Sequence, residues 1–114
     1  MNGTLHDIKG FTIELQNDDV DAALPYYRKA AEVDPTYANA LFDVGRCLYL
    51  QAQKIIDDNP NATNKELLPK IKPIYDEAIP FLQKAIDLNA NPDDKKAKNV
   101  LDDIMYKFEI MGVK

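Results

Sequence analysis

Apolar and polar residues alternate along most of the chain with the period of an amphipathic α-helix, in which one face recurs every three or four positions. The clearest stripe lies between residues 21 and 34. Its apolar members are Ala23, Tyr27, Ala30 and Val33. Pro25 falls early in the segment, where a missing backbone N–H costs least, and Pro35 follows as a stop signal. The pattern predicts a helix ending before Pro35, whose small alanines allow a neighbouring helix to approach closely.

The same period continues beyond Pro35 and predicts a second helix that reaches about residue 58. Its apolar positions are Ala40, Leu41, Val44, Cys47, Leu48, Ile55 and Ile56. Gly45 interrupts this stripe, and glycine in a helix interior is less stable than alanine by about 1 kcal/mol. We therefore expect Gly45 to permit close packing against another helix.

An internal repeat links the first predicted helix to a later segment. Residues 21–34 align with residues 76–89 at an offset of 55, and five of the fourteen pairs are identical. Most of the other pairs are conservative, such as Leu24 with Ile79 and Tyr26 with Phe81. Repetition at a fixed offset indicates stacked units that share one hydrophobic core.

Together these segments resemble the tetratricopeptide repeat, a helix-turn-helix unit of about 34 residues. The pattern of its first helix is matched by Leu41, Val44, Gly45 and Leu48, and near the C-terminus by Leu101, Ile104, Met105 and Phe108. The pattern of its second helix is matched by Ala23, Tyr27 and Ala30 followed by Pro35, and again by Ala78, Leu82 and Ala85. The resemblance assigns these residues, Met105 excepted, to packing between repeats. It implies an all-α fold of antiparallel helix-turn-helix repeats, about five to six helices stacked in a short right-handed solenoid.

The offset of 55 exceeds the family period by 21 residues, so we place an insertion at about residues 53–75. The chain is then a single domain with a first helix pair at about 4–35, a second, lengthened pair at about 36–90 and a capping helix at about 94–111. Thr63 and Glu66 form a capping box that opens a helix inside the insertion. Pro69 and Pro73 are expected to kink or break that helix.

The resemblance also implies a concave groove lined by the first helix of each repeat, where side chains that do not pack internally bind a partner. The candidate groove residues are Asn39, Phe42, Asp43, Arg46 and Tyr49 in the middle repeat, and Asp102, Asp103 and Tyr106 in the last helix. Aromatic residues and arginine are enriched at binding hot spots. Two alternatives remain open: Phe42 or Tyr49 packs against the next helix, and Asp102 and Asp103 form a solvated face rather than favouring a basic or neutral partner.

Composition excludes several function classes. The 14 basic and 19 acidic residues give a formal charge of -5, which argues against nucleic-acid binding, and no apolar run is long enough to span a membrane. The single cysteine, Cys47, is interpreted as a buried structural thiol, and the single histidine, His6, has no catalytic partner. The run of aspartate and asparagine at residues 57–61 offers oxygen ligands but lacks the spacing of a calcium loop, and it is interpreted as a turn. We expect no metal, no cofactor and no enzymatic activity.

The sequence thus predicts a non-catalytic interaction module that binds a peptide or protein in its groove. The alternative is a structural, self-assembling domain or a fragment of a longer array that stacks or dimerises, because about three repeats are usually needed for stability. No signal peptide is recognisable, so the default location is cytoplasmic, with the periplasm as the alternative if an upstream signal was removed. The insertion and the wording of the second helices resemble bacterial repeat proteins.

Overall fold

The computed structural model describes residues 3–17, 19–89 and 91–113, and this part of the chain is all-α, with five helices and no strand. The helices are α1 (Gly3–Asn17), α2 (Val20–Val33), α3 (Ala38–Asp58), α4 (Asn64–Leu88) and α5 (Lys96–Ile110). Each helix packs against the next one along the chain, and α3 also contacts α1 and α5. This arrangement is that of a helical repeat stack, and it confirms the predicted fold class.

The central helices are longer than the outer ones: α3 has 21 residues and α4 has 25, against 14 in α2. A short loop at residues 59–63 joins them at their tip. The capping box predicted at Thr63 is present, since its hydroxyl accepts from the Glu66 N–H and the Glu66 carboxylate accepts from the Thr63 N–H. These two bonds satisfy backbone donors that the first turn of α4 leaves unpaired.

The expected break at Pro69 and Pro73 is absent, because α4 continues through both prolines and through Pro80. All three prolines lie on the exposed side of the helix. Each proline removes the hydrogen bond to the carbonyl four residues earlier, at Lys65, Pro69 and Asp76. Those positions are also exposed, so water can satisfy the freed carbonyl groups and the helix persists.

Most of the residues assigned to repeat packing lie in one buried core that runs through all the helices from α2 to α5. Twelve of the fourteen are buried. The exceptions are Leu101, which is half-buried, and Pro35, which is exposed in the turn after α2. Val33, assigned to the apolar stripe of α2, is also 37% exposed because it occupies the last position of the helix.

Two glycines lie where neighbouring helices approach each other closely. A Cβ atom on Gly45 would lie 2.6 Å from Cγ and Cδ2 of Leu82, so α3 and α4 can meet there only without a side chain on α3. A Cβ atom on Gly10 would lie 2.9 Å from two carbons of the Tyr27 ring, so α1 also packs closely on α2 at this point. These contacts set the spacing of the helices that border the groove.

Candidate partner-binding groove

The candidate groove follows α3, with α1 along one side and α5 along the other. The five groove residues predicted on α3 all lie at positions that are half-buried or exposed. They fall into three places: an ion-pair cluster against α1, a pocket near the start of α5, and a polar cluster against the middle of α5.

Arg46 belongs to the cluster against α1. Its guanidinium donates two hydrogen bonds to the Glu14 carboxylate, of 2.8 Å to Oε2 and 2.7 Å to Oε1. Tyr27 of α2 donates a third bond of 2.9 Å to Glu14 Oε1, and the Arg46 guanidinium lies 5.8 Å from the centre of the Tyr27 ring. The bonds from Arg46 lower the pKa of Glu14. Arg46 therefore links α3 to α1 and α2, and both of its terminal nitrogens are engaged by Glu14.

Asp43 lies beside this pair, with its Oδ1 atom 3.5 Å from Arg46 Nε. Its side chain is only 19% exposed, and the carboxyl group of Asp7 in α1 lies within hydrogen-bonding reach. Burial, followed by the contact with Asp7, raises the pKa of Asp43 to about 8. The raised pKa favours the protonated, uncharged form of Asp43, which would reduce the negative charge of the groove.

Tyr49 belongs to the cluster against α5. Its hydroxyl donates a hydrogen bond to Asp103, and the ammonium group of Lys107 lies 4.8 Å from the centre of its ring. Lys107 also bonds Gln53 at 2.7 Å and pairs with Asp103 at 2.8 Å. The contact with Asp103 brings two predicted groove residues together, but it satisfies both of them internally.

Phe42 and Asn39 border a pocket of about 260 Å³ between α3, the end of α4 and the start of α5. Phe42 is half-buried, Asn39 is exposed, and the ammonium group of Lys96 lies 5.0 Å from the centre of the Phe42 ring. The rim carries Lys95, Lys96 and Lys98 against the single acid Asp94. This end of the groove thus combines an aromatic wall with a basic rim.

The other two predicted residues of α5 stand apart from α3. Asp102 bonds to Lys98 of its own helix at 2.6 Å, and both partners are well exposed. Tyr106 is 59% exposed.

Four groove residues escaped the sequence analysis: Asp7, Glu14, Lys96 and Lys107. A signal for the first two was present. Gly10 precedes Gly45 by 35 residues, and the same offset places Asp7 at the position of Phe42 and Glu14 at that of Tyr49. An alignment of Gly10 with Gly45 would have identified Asp7 and Glu14 as candidate groove residues. The two lysines had no such marker, because the register that Leu101, Ile104 and Phe108 give to α5 places neither lysine at a groove position.

Other chemistry finds little support in the described residues. Burial raises the pKa of the Cys47 thiol to about 12, so its nucleophilic thiolate form is negligible at neutral pH. Within residues 3–17, 19–89 and 91–113, histidine, cysteine and carboxylate side chains form no group of three or more that could hold a metal ion. In the same residues, no helix combines the length and the apolar character needed to cross a membrane.

Comparison with known proteins identifies a repeat in the first helix pair. The family model described as tetratricopeptide repeat matches residues 12–37, from the second half of α1 to the turn after α2. No curated protein and no solved structure matches the chain. The match and the stack of neighbouring helices support a protein of the tetratricopeptide-repeat type. Repeats of this type generally mediate protein–protein interactions and are typically non-catalytic scaffolds.

Proposed function

We propose that this protein is a non-catalytic interaction module that binds a peptide or protein segment in the groove along α3. The observation that carries the proposal is the pocket beside Phe42, where a half-buried aromatic side chain borders a cavity of about 260 Å³. Partly exposed aromatic side chains at the edge of a pocket are typical anchors of protein–protein interfaces. On this proposal α3 and α4 form one repeat, lengthened by an insertion at about residues 53–75.

The contacts of the groove residues indicate two roles: some would touch the partner, and others would shape the groove. Phe42 and Asn39 border open space and would touch the partner directly. Arg46 and Tyr49 are bonded to Glu14 and Asp103, so they would shape the groove walls. Breaking the Arg46 pair in order to bind a partner would leave the half-buried Glu14 without its countercharge, at a substantial cost in free energy.

The pocket also indicates the chemistry of the partner. Its rim carries three lysines and one aspartate, while its wall is formed by Phe42, Ile86 and the methyl groups of alanines. A segment with an apolar side chain beside an acidic one would complement both features. The acidic pair Asp102 and Asp103, which suggested a basic partner, lies further along α5 and is bonded to Lys98 and Tyr49.

The test is selection of peptides from a random displayed library on the wild-type protein, followed by affinity measurements with variants. Phe42→Ala should weaken binding of the selected peptides by about tenfold or more, because tenfold corresponds to about 1.4 kcal/mol and truncation of a hot-spot anchor usually costs about 2 kcal/mol or more. High salt should weaken binding as well, because the lysines of the rim are exposed.

Phe81→Ala is the matched control. Phe81 is also a half-buried phenylalanine, but it lines a different pocket, between α2 and α4 with Pro35 and Leu41. Peptides selected on the wild type should bind this variant with unchanged affinity. Equal binding to the wild type and to Phe42→Ala, or loss of binding only in Phe81→Ala, would place the interaction outside the groove.

A second candidate function is self-association through the outer face of α1. Four large apolar side chains share one side of this helix and are more than half exposed, namely Leu5 (63%), Ile8 (54%), Phe11 (55%) and Leu15 (68%). Contiguous apolar surface of this kind commonly marks an interaction site. The observation favours a dimer in which two copies of α1 cover each other.

Analytical ultracentrifugation separates the two functions. If α1 mediates self-association, the wild type should sediment as a dimer and the double variant Ile8→Lys, Phe11→Lys as a monomer. Circular dichroism should show the same helix content for both, because the two side chains are exposed. A wild-type protein that remains monomeric at the highest soluble concentration would rule this candidate out.

A further inference from the structure

Two carboxyl groups from different helices meet where α1 contacts α3. Asp7 of α1 and Asp43 of α3 lie within hydrogen-bonding reach of each other. Asp7 Oδ1 is buried, and it has no hydrogen-bond partner in the described part of the chain. Two ionised carboxylates at this separation repel, and a buried acceptor without a donor is costly. One proton between the two groups removes both penalties.

The surrounding groups cannot replace that proton. On the α3 side, both terminal nitrogens of Arg46 are bonded to Glu14, and its Nε atom lies 3.5 Å from Asp43. The hydroxyl of Tyr37, just before α3, lies 3.5 Å from the other oxygen of Asp7, a long hydrogen bond. Lys96 of α5 attracts Asp43, but its ammonium group stands over the Phe42 ring. The pair therefore lacks a full countercharge.

We propose that Asp7 and Asp43 share one proton, that this proton closes the N-terminal half of α1 against α3, and that its loss at rising pH releases that half. The inference goes beyond the proposed function because it requires no partner. Its consequence for the groove follows from position, since the two neighbours of Asp7, Tyr37 and Asp43, flank Asn39 and Phe42 in the sequence at the start of α3.

The remaining contacts of α1 make Gly10 the natural pivot. Past Gly10, Glu14 remains bonded to Arg46 and Tyr27 at neutral and alkaline pH, because its pKa is lowered. At Gly10 itself the backbone rests on the Tyr27 ring. Before Gly10, Asp7 reaches Asp43 of α3 and Tyr37 just ahead of that helix, while Lys9 lies over the Tyr26 ring of α2. The raised pKa of Asp43, about 8, determines the direction of the pH dependence. The interaction that closes α1 against α3 is present at acidic pH and is lost as the pH rises towards 8.

Hydrogen–deuterium exchange measures the release directly. After correction for intrinsic exchange rates, protection of residues 5–10 relative to α4 should fall at least about tenfold between about pH 5.5 and about pH 8.5. Asp43→Asn should abolish this pH dependence, because its amide donates a permanent hydrogen bond to Asp7. Asp76→Asn, a matched change at an exposed helical aspartate, should retain the wild-type behaviour.

Two results would overturn the proposal. One is a protection ratio for residues 5–10 that does not change with pH in the wild type. The other is a pH dependence that survives in Asp43→Asn. A carbon-13 NMR titration of the side-chain carboxyl groups provides a second, independent readout: the Asp43 signal should titrate well above pH 6, and titration near the ordinary value of about 4 would refute the shared proton.

Discussion

Arg46 on α3 holds Glu14 on α1 through two hydrogen bonds of 2.8 and 2.7 Å, with both side chains only 20–24% exposed. A second pair of the same geometry joins Arg28 on α2 to Glu77 on α4, at 2.5 and 3.1 Å, but its side chains are 40–44% exposed. The same kind of arginine–glutamate ion pair therefore occurs twice in this protein, once partly buried and once exposed.

Double-mutant cycles with alanine should separate the two pairs. We expect a coupling free energy of about 1–3 kcal/mol for Arg46 and Glu14, because removing one partner leaves the other charge poorly solvated. For Arg28 and Glu77 we expect at most about 1 kcal/mol, because water screens an exposed pair. Urea denaturation of both cycles provides the measurement, and equal couplings would contradict this difference in burial.

Glu14 should also affect acid stability. Its pKa is lowered in the folded protein, chiefly by the hydrogen bonds from Arg46, so it stabilises the fold above its ordinary pKa of about 4.3. That contribution is lost as the pH falls through the lowered value. Glu14→Gln should therefore be destabilising near pH 7, and the difference from the wild type should shrink below about pH 4. A difference that stays constant with pH would show that the charge of Glu14 is irrelevant, and Glu109→Gln, at an exposed carboxylate, is the control.

Gly45 should resist substitution although glycine is a poor helix former. Gly45→Ala would ordinarily stabilise an exposed helix by roughly 0.5–1 kcal/mol. Here the new Cβ would lie 2.6 Å from Leu82, so we expect destabilisation instead, and about 1–3 kcal/mol or more for Gly45→Leu. Chemical denaturation gives the free energy of unfolding. A neutral Gly45→Leu variant would mean that α3 and α4 are not this close.

Two tyrosines in neighbouring positions should respond differently to loss of the hydroxyl. Tyr75 is fully buried, and within the described residues its hydroxyl has no hydrogen-bond partner, so Tyr75→Phe should be neutral or stabilising by up to about 1 kcal/mol. Tyr49 donates to Asp103, and Tyr49→Phe should cost about 0.5–1.5 kcal/mol. Thermal unfolding of both variants tests the contrast, and a larger loss at Tyr75 would reveal a bond to its hydroxyl.

The core was predictable because its signal is local. The spacing of Ala23, Tyr27 and Ala30 identifies the packed face of α2, and the same spacing in α4 repeats it. The continuity of α4 was not predictable from its prolines alone. Their effect depends on whether the freed carbonyl groups reach water, and that depends on which side of α4 faces the rest of the fold.

The groove was predicted only in part, because several of its charged and polar side chains form pairs with residues on other helices. Arg46 and Tyr49 carry the residue types of a binding surface, but their partners Glu14 and Asp103 lie 32 and 54 residues away. Such pairings depend on the register between helices, which the sequence of one helix does not contain. Phe42 differs because open space remains beside its ring.

NMR mapping tests the central claim most directly, that the pocket beside Phe42 is where a partner segment binds. A peptide selected on the wild type would be titrated into the nitrogen-15-labelled protein. The account predicts shift changes concentrated at residues 38–42 and 94–98, and their loss in Phe42→Ala. Shifts confined to residues 28–35 and 80–84, around the pocket between α2 and α4, would contradict it.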